Sequence, residues 1–202
     1  MNKRMLVVFL LFGGLAAAGL RAQGIRKPVV AGAFYDGDKA SLAARIDAYL
    51  SAVKELPTVS GEVRALICPH AGYVYSGPTA AYAYKLVQGQ PYASVIIIGT
   101  SHQHALDGAS IYLKGGFETP LGVAPVDEEL AAAVAKASGF SYIPEAHSKE
   151  HSVEVQVPFL QKALPDAKIV PIVLGYPTRR NVYSLAEGIA KASAGKKVLI
   201  VA

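Results

Sequence analysis

Two stretches of the chain are apolar at consecutive positions: "SVIIIG" (94–99) and "KIVPIVLG" (168–175). A strand with one face in water alternates apolar and polar residues, whereas a strand covered by helices on both faces stays apolar throughout. Segments of helical period separate such runs along the chain, and no internal repeat or low-complexity linker interrupts them. The pattern predicts one α/β domain over residues 23–202, with a mainly parallel central sheet flanked by helices.

The predicted elements follow from these two periodicities. Apolar runs rich in β-branched residues predict strands at 63–67, 94–99, 109–113, 169–174 and 197–201. Helical spacing predicts helices at 39–53, 78–88, 127–138, 152–164 and 180–194. Proline is tolerated in a first helical turn, which suits Pro78, whereas Pro158 predicts that the fourth helix begins late or irregularly.

The amino terminus predicts export. Residues 1–22 combine the basic start "MNKR", an apolar run and small residues before a cleavage position after Ala22, as in a signal peptide. The alternative is an uncleaved anchor, although the run is short for a membrane span of about 20 residues. We expect a periplasmic or secreted protein that meets the membrane only during export.

The net charge and the cysteine content exclude a nucleic-acid-binding protein and a domain stabilised by an internal disulfide. The net charge is +5, but Lys3, Arg4 and Arg21 supply three of these charges, and the remaining +2 excludes a nucleic-acid-binding footprint. Cys68 is the only cysteine, so an internal disulfide is excluded. Its position at the end of an apolar run predicts a small buried hydrophobe, with metal ligation through the C-x-H spacing to His70 as the alternative.

Histidines follow two predicted strand ends. His70 comes soon after the strand at 63–67, and His102 follows the strand at 94–99 in "IIIGTSHQH". Ligands of open α/β sheets bind at the carboxyl ends of the strands. If these two strands are neighbours, both imidazoles can reach one metal ion. All five histidines occupy predicted loops: His70, His102, His104, His147 and His151.

The segment "HSVE" adds a second candidate pair. His151 and Glu154 are three residues apart and would share one side of a helix that begins there. One interpretation is a helix cap with a surface charge. The other is a proton-transfer pair at the mouth of the site.

Six ordered blocks carry a resemblance to a known family: "RKPVVAGAFYDGD", "CPHAGYVYSG", "IIIGTSHQ", "ETPLG", "EHSVEVQVPFL" and "VLIVA". Together they resemble the Memo-like family, the AmmeMemoRadiSam system protein B of bacteria and archaea, from Arg26 to Ala202. The resemblance implies a fold similar to class III extradiol ring-cleavage dioxygenases, with a mononuclear metal site. It assigns His70 and His102 as metal ligands and, less directly, His151 and Glu154 as pocket residues, whereas His104 matches no ligand position.

The chain departs from the family pattern at two places. Asp36 follows Tyr35 where the family usually has proline, a change that affects a turn. The family continues after the "VLIVA" strand into a serine-serine-aspartate segment with a further histidine, and later supplies a third metal ligand. Because Ala202 is the last residue here, we expect a truncated Memo-like domain whose third ligand lies beyond Ala202.

The ligand set narrows the metal and the chemistry. Two neutral imidazoles with one anionic ligand suit one divalent transition metal and leave open positions for substrate; iron is favoured, with copper or zinc as alternatives. Ser101 and the hydroxyls of Tyr73 and Tyr75 are candidate contacts to substrate oxygens, although packing is the alternative role for the tyrosines.

Three functions remain open from the sequence. The resemblance favours a non-haem iron oxidoreductase of dioxygenase type with unknown substrate. The second is a non-catalytic metal- or peptide-binding protein that serves AMMECR-like and radical-enzyme partners, as the family name implies. The third is a metal-dependent hydrolase with zinc. Fold does not select among them.

Overall fold

A five-stranded sheet forms the centre of the computed structural model, which describes residues 24–202. The first four strands in spatial order run parallel, and the last, at one edge, runs antiparallel to its neighbour. The order is β2 (Ala65–Leu66), β8 (Val198–Val201), β3 (Ser94–Thr100), β7 (Lys168–Leu174) and β4 (Ala109–Ile111). This confirms the predicted α/β class with a mainly parallel sheet. The predicted signal peptide, residues 1–22, lies outside the described residues.

The two long apolar runs are the central strands. β3 and β7 pair in parallel over seven residues, from Ser94 opposite Lys168 to Thr100 opposite Leu174. Ile96 and Ile97, successive residues of β3 whose side chains point to opposite faces of the sheet, are fully buried, and burial of one such side chain contributes about 1.5–3 kcal/mol. The sheet is therefore covered on both faces, as the continuous apolar pattern predicts.

Helices flank this sheet and differ from prediction mainly at their starts. They are α1 (Lys39–Ala52), α2 (Tyr73–Val87), α3 (Glu128–Ser138), α4 (Pro144–Ser148), α5 (Val157–Ala163) and α6 (Arg179–Ala192). The predicted late start before Pro158 is confirmed, because a 3₁₀ turn, Glu154–Gln156, precedes α5. The predicted start of α2 at residue 78 is wrong. Pro78 lies inside the helix and has no N–H group to donate to the carbonyl of Val74, four residues earlier. Val74 is 73% exposed, so water can hydrogen-bond to that carbonyl instead.

A second sheet of three short strands is absent from the prediction. β1 (Ile25–Arg26) pairs in parallel with β5 (Gly116–Thr119), which forms an antiparallel hairpin with β6 (Gly122–Pro125). Strands of two to four residues carry too few positions for a periodicity to be visible. This sheet places Arg26 against the segment 147–154, which contains part of the site.

Among residues 24–202, no helix combines the length and the apolar character that crossing a membrane requires.

Candidate metal centre

Three imidazole rings converge beyond the carboxyl ends of the parallel strands. The ring centre of His70 lies 5.4 Å from that of His102 and 6.3 Å from that of His151, and the latter two are 4.6 Å apart. Two imidazoles that bind one ion at about 2.0–2.1 Å have ring centres about 5 Å apart. The His70–His102 and His102–His151 separations are close to this value, so either pair fits one shared transition-metal ion, whereas His70 and His151 are farther apart.

His70 reaches the cluster although its strand does not neighbour β3. β8 lies between β2 and β3, so the expected neighbour relationship is wrong. The loop after β2 is held by a 2.8 Å hydrogen bond from the Cys68 N–H to the Ala202 carbonyl. The Gln156 amide donates to the Pro69 carbonyl at 3.2 Å. These two contacts fix the backbone on the amino-terminal side of His70 and allow its ring to meet His102.

His102 is oriented by a residue that the sequence did not single out, Glu150. The distance from His102 Nδ1 to Glu150 Oε1 is 2.9 Å, and the backbone N–H of His102 donates to Oε2 of the same carboxylate at 2.6 Å. The Glu150 side chain is only 1% exposed. In the sequence, "SKEHS" resembles a polar surface loop, and the adjacency of Glu150 to His151 was its only signal.

The Glu150 carboxylate also accepts hydrogen bonds from backbone N–H groups of its own segment. Oε1 accepts from the N–H groups of His151 and Ser152, each at 2.8 Å. Burial alone would raise the pKa of Glu150, but the hydrogen bonds from His102 and from Ser152 outweigh burial and lower it to about 2. The group is therefore an anion at physiological pH.

His70 and His151 are in the form that binds metals. Burial lowers the pKa of His70, and the neighbouring His102 and His151 lower it further. Burial likewise lowers the pKa of His151. The Phe34 ring contacts His151 edge-on at 4.9 Å and fixes its position. Both imidazoles are consequently neutral near pH 7, the form in which a ring nitrogen can bind a metal ion or accept a proton.

Gly99 permits the close approach of the segment 150–154 to β3. A Cβ at residue 99 would overlap Ser152 Oγ and would lie 2.8 Å from Val153 Cγ2. Ser152 Oγ in turn donates to the Thr100 carbonyl at 2.9 Å. Only glycine allows this contact, which holds His151 and Glu150 against the end of the strand that leads to His102.

The hydrogen bonds that the Glu154 carboxylate accepts come from the segment 26–35. The carboxylate is fully buried, forms a 2.7 Å ion pair with Arg26 Nη1 and accepts a 2.7 Å hydrogen bond from the Tyr35 hydroxyl. The backbone N–H groups of Val29 and Val30 also donate to it at 3.0 Å. With its oxygens engaged in this way, Glu154 attaches the segment 26–35 to the site segment, and its pairing with His151 stays a prediction.

The remaining predicted residues lie at different depths. Tyr73 is buried and its hydroxyl donates to the Val155 carbonyl at 2.7 Å, whereas Tyr75 is 83% exposed. Ser101 adjoins His102, and its hydroxyl donates to the His104 carbonyl at 2.7 Å. Cys68 is buried, as predicted, and burial raises the pKa of its thiol to about 11. Of the predicted substrate contacts, only Ser101 immediately borders the cluster in the chain.

His147 lies outside the cluster and is expected to make stability pH-dependent. Burial, followed by the charge of Arg26, lowers its pKa from 6.5 to about 4. Between these values the unfolded chain binds more protons than the folded one, so stability falls as the pH drops, by about 3 kcal/mol at pH 4. His147→Phe removes this titration and suits the aromatic surroundings of Tyr112 and Tyr142.

Urea unfolding at several pH values measures the effect. The wild type should lose more stability between pH 6.5 and pH 4 than His147→Phe does. Parallel pH profiles for the two proteins would contradict the assignment.

The fold and the cluster together define a class: an α/β protein with a group of histidine and glutamate side chains, beyond the carboxyl ends of parallel strands, that could hold a metal ion. Within residues 24–202, His102, Glu150 and His151 can bring ligand atoms within 4.8 Å of one another, and His70 completes the histidine cluster. The architecture is consistent with the class III extradiol dioxygenase-like fold that the resemblance implies.

Comparison with known proteins identifies the family. Residues 26–202 match the profile of the Memo-like protein family, and the chain belongs to that family. It is 40% identical over 192 residues to a MEMO1 family protein of Pyrobaculum aerophilum, covering 88% of this chain and 66% of that protein. A MEMO1 family protein of Sulfolobus acidocaldarius is 43% identical over 191 residues, with 88% and 67% covered. The chain thus spans about two thirds of the length of these relatives.

Proposed function

We propose that this Memo-like protein binds one divalent transition metal through His70 and His102, with His151 as the proton acceptor beside the ion. The observation that supports this most directly is the convergence of the three rings, with centres 4.6–6.3 Å apart. Iron is the favoured metal, and copper and zinc are the alternatives for the same neutral imidazoles. The resemblance implies a third protein ligand from the part of the relatives that this chain does not span.

The reaction we propose is oxidative ring cleavage of an electron-rich diol by dioxygen, in which one carbon–carbon bond of the ring breaks and both atoms of the dioxygen enter the product. A ferrous ion would supply adjacent open positions and the electron transfer that such chemistry needs. His70 and His102 would hold the ion, since their ring centres lie 5.4 Å apart, close to the spacing of two imidazoles that bind one ion. His151 is 17% exposed at its side chain, so it is accessible from solvent. It would accept the proton that a substrate hydroxyl loses on binding, and Ser101 would border the substrate beside His102.

Anaerobic loading with Fe²⁺ followed by measurement of dioxygen uptake tests this proposal. We expect one ion per chain and uptake that depends on an added catechol. His151→Ala should retain the metal but lose most of the uptake, because general bases contribute typically 10²–10⁴-fold. His104→Ala changes a histidine outside the cluster and is the matched control.

The same experiment separates the two alternatives. Tight metal binding without uptake would favour a non-catalytic metal- or peptide-binding role beside AMMECR-like and radical-enzyme partners. Ester or amide hydrolysis by the Zn²⁺-loaded chain would favour a metal-dependent hydrolase. Export to the periplasm or medium, which residues 1–22 support by their composition, is proposed for either role.

A further inference from the structure

We propose that Glu150 is a positioning residue whose buried carboxylate fixes the tautomer and orientation of His102, so that Nε2 of that ring is the nitrogen presented to the metal. The inference rests on the proposed function only in requiring an ion at the histidine cluster. The part of it that concerns the His102 tautomer can be tested in the metal-free protein.

The contact between the two side chains determines which ring nitrogen carries the proton. Glu150 Oε1 lies 2.9 Å from His102 Nδ1, and the same oxygen already accepts hydrogen bonds from the backbone N–H groups of His151 and Ser152, so it is the acceptor in this contact as well. Nδ1 must therefore carry the proton in this contact. The lone pair of the neutral ring is then on Nε2, away from Glu150. A hydrogen bond from the second ring nitrogen to a carboxylate is the usual way in which proteins orient a histidine that binds metal.

The same carboxylate anchors both sides of the site. It accepts from the backbone N–H of His102, in the loop after β3, and from the N–H groups of His151 and Ser152. A change at Glu150 should therefore alter the separation of the His102 and His151 rings as well as the tautomer of one of them. Arg26 Nη2 donates to the Glu150 carbonyl and holds its backbone.

The hydrogen bonds around Glu150 favour positioning over direct ligation. Four N–H groups donate to its two oxygens, and a carboxylate offers about four lone-pair sites. The side chain is 1% exposed. Three of these donors are on Oε1, so a metal ion bound at that oxygen would have to displace them, whereas an ion bound at His102 Nε2 displaces none of them.

Three variants test the role, with Co²⁺ as the probe and its absorption bands as the readout. Glu150→Gln replaces one accepting oxygen by a donor, and we expect Co²⁺ binding to weaken about 10–100-fold, as for other residues that support a metal ligand. Glu150→Asp keeps a carboxylate and should recover part of the affinity. Glu145→Gln is the matched control, because it makes the same chemical change at an exposed side chain earlier in the same segment. It should bind Co²⁺ like the wild type.

Nitrogen-15 NMR of the metal-free protein supplies a readout that a merely structural role would not change. In the wild type, His102 should be protonated at Nδ1. In Glu150→Gln, that signal should be replaced by a mixture of the two tautomers. The wild-type measurement decides the tautomer even if Glu150→Gln does not fold.

Several outcomes would overturn the proposal. These are an Nε2-protonated His102 in the metal-free wild type, or wild-type Co²⁺ affinity in folded Glu150→Gln. X-ray absorption that shows a carboxylate oxygen bound to Co²⁺ in the wild type and lost in Glu150→Gln would make Glu150 a ligand instead. If the wild type binds no Co²⁺ but has Nδ1-protonated His102, the proposed metal function fails while the effect of Glu150 on the ring is supported.

Discussion

Replacing His102 by alanine is expected to abolish stoichiometric binding of a divalent transition metal, with a loss of affinity greater than about 100-fold. Loss of a residue that only supports a ligand costs about 10–100-fold, and removal of the ligand itself should cost more. The His102 ring is also the one that Glu150 orients, at 2.9 Å from Nδ1 to Oε1. Calorimetric titration with Co²⁺ or Zn²⁺ measures the effect.

The controls separate a lost ligand from a lost fold. His70→Ala should reduce affinity to a similar extent, because its ring shares the cluster at 5.4 Å from His102. His104→Ala should bind like the wild type. The His102 side chain is 37% exposed, but its truncation also removes a hydrogen bond to the buried Glu150 carboxylate, so we expect a lower urea midpoint, and circular dichroism should show that the variant is folded under the titration conditions. Wild-type affinity in His102→Ala would contradict the proposed centre.

The central sheet could be predicted from the sequence because strands that are buried on both faces are apolar at consecutive positions. When helical segments flank them, the continuous apolar runs of β3 and β7 are compatible with few structures other than strands buried on both faces. The short strands of the second sheet have no such apolar pattern. Their pairing depends on contacts such as Ile25 with Gly116, far apart in the chain, which no local pattern reveals.

The residues of the candidate site also fall into those that the sequence could place and those that it could not. His70 and His102 could be placed together from the rule that strand ends share one edge of the sheet, even though β8 separates their strands. The role of Glu150 could not be predicted, because it depends on a buried carboxylate that accepts hydrogen bonds from backbone N–H groups of two segments. Glu154 illustrates a second limit of local spacing. Its spacing from His151 suggested a pair, whereas the ion pair of its carboxylate is with Arg26, which is 128 residues away in the chain.

Arg26→Ala is expected to cost about 3–5 kcal/mol of unfolding free energy, since removal of one partner of a buried ion pair leaves the other charge uncompensated. The side chains of Arg26 and Glu154 are 6% and 1% exposed. Arg26 Nε also donates to the His147 carbonyl at 2.7 Å, so the guanidinium holds several points of the segment 147–154. Urea unfolding at pH 7 measures the loss.

Lys27→Ala is the matched control for this change. The neighbouring ion pair of Lys27 with Glu118 is exposed at the lysine, and exposed pairs contribute about 0–1 kcal/mol. Because Arg26 also donates to the Glu150 carbonyl, Arg26→Ala should weaken Co²⁺ binding as well as stability, whereas Lys27→Ala should change neither appreciably. Equal stability losses in the two variants would show that the buried pair does not hold the 147–154 segment, and the histidine cluster would then need another support.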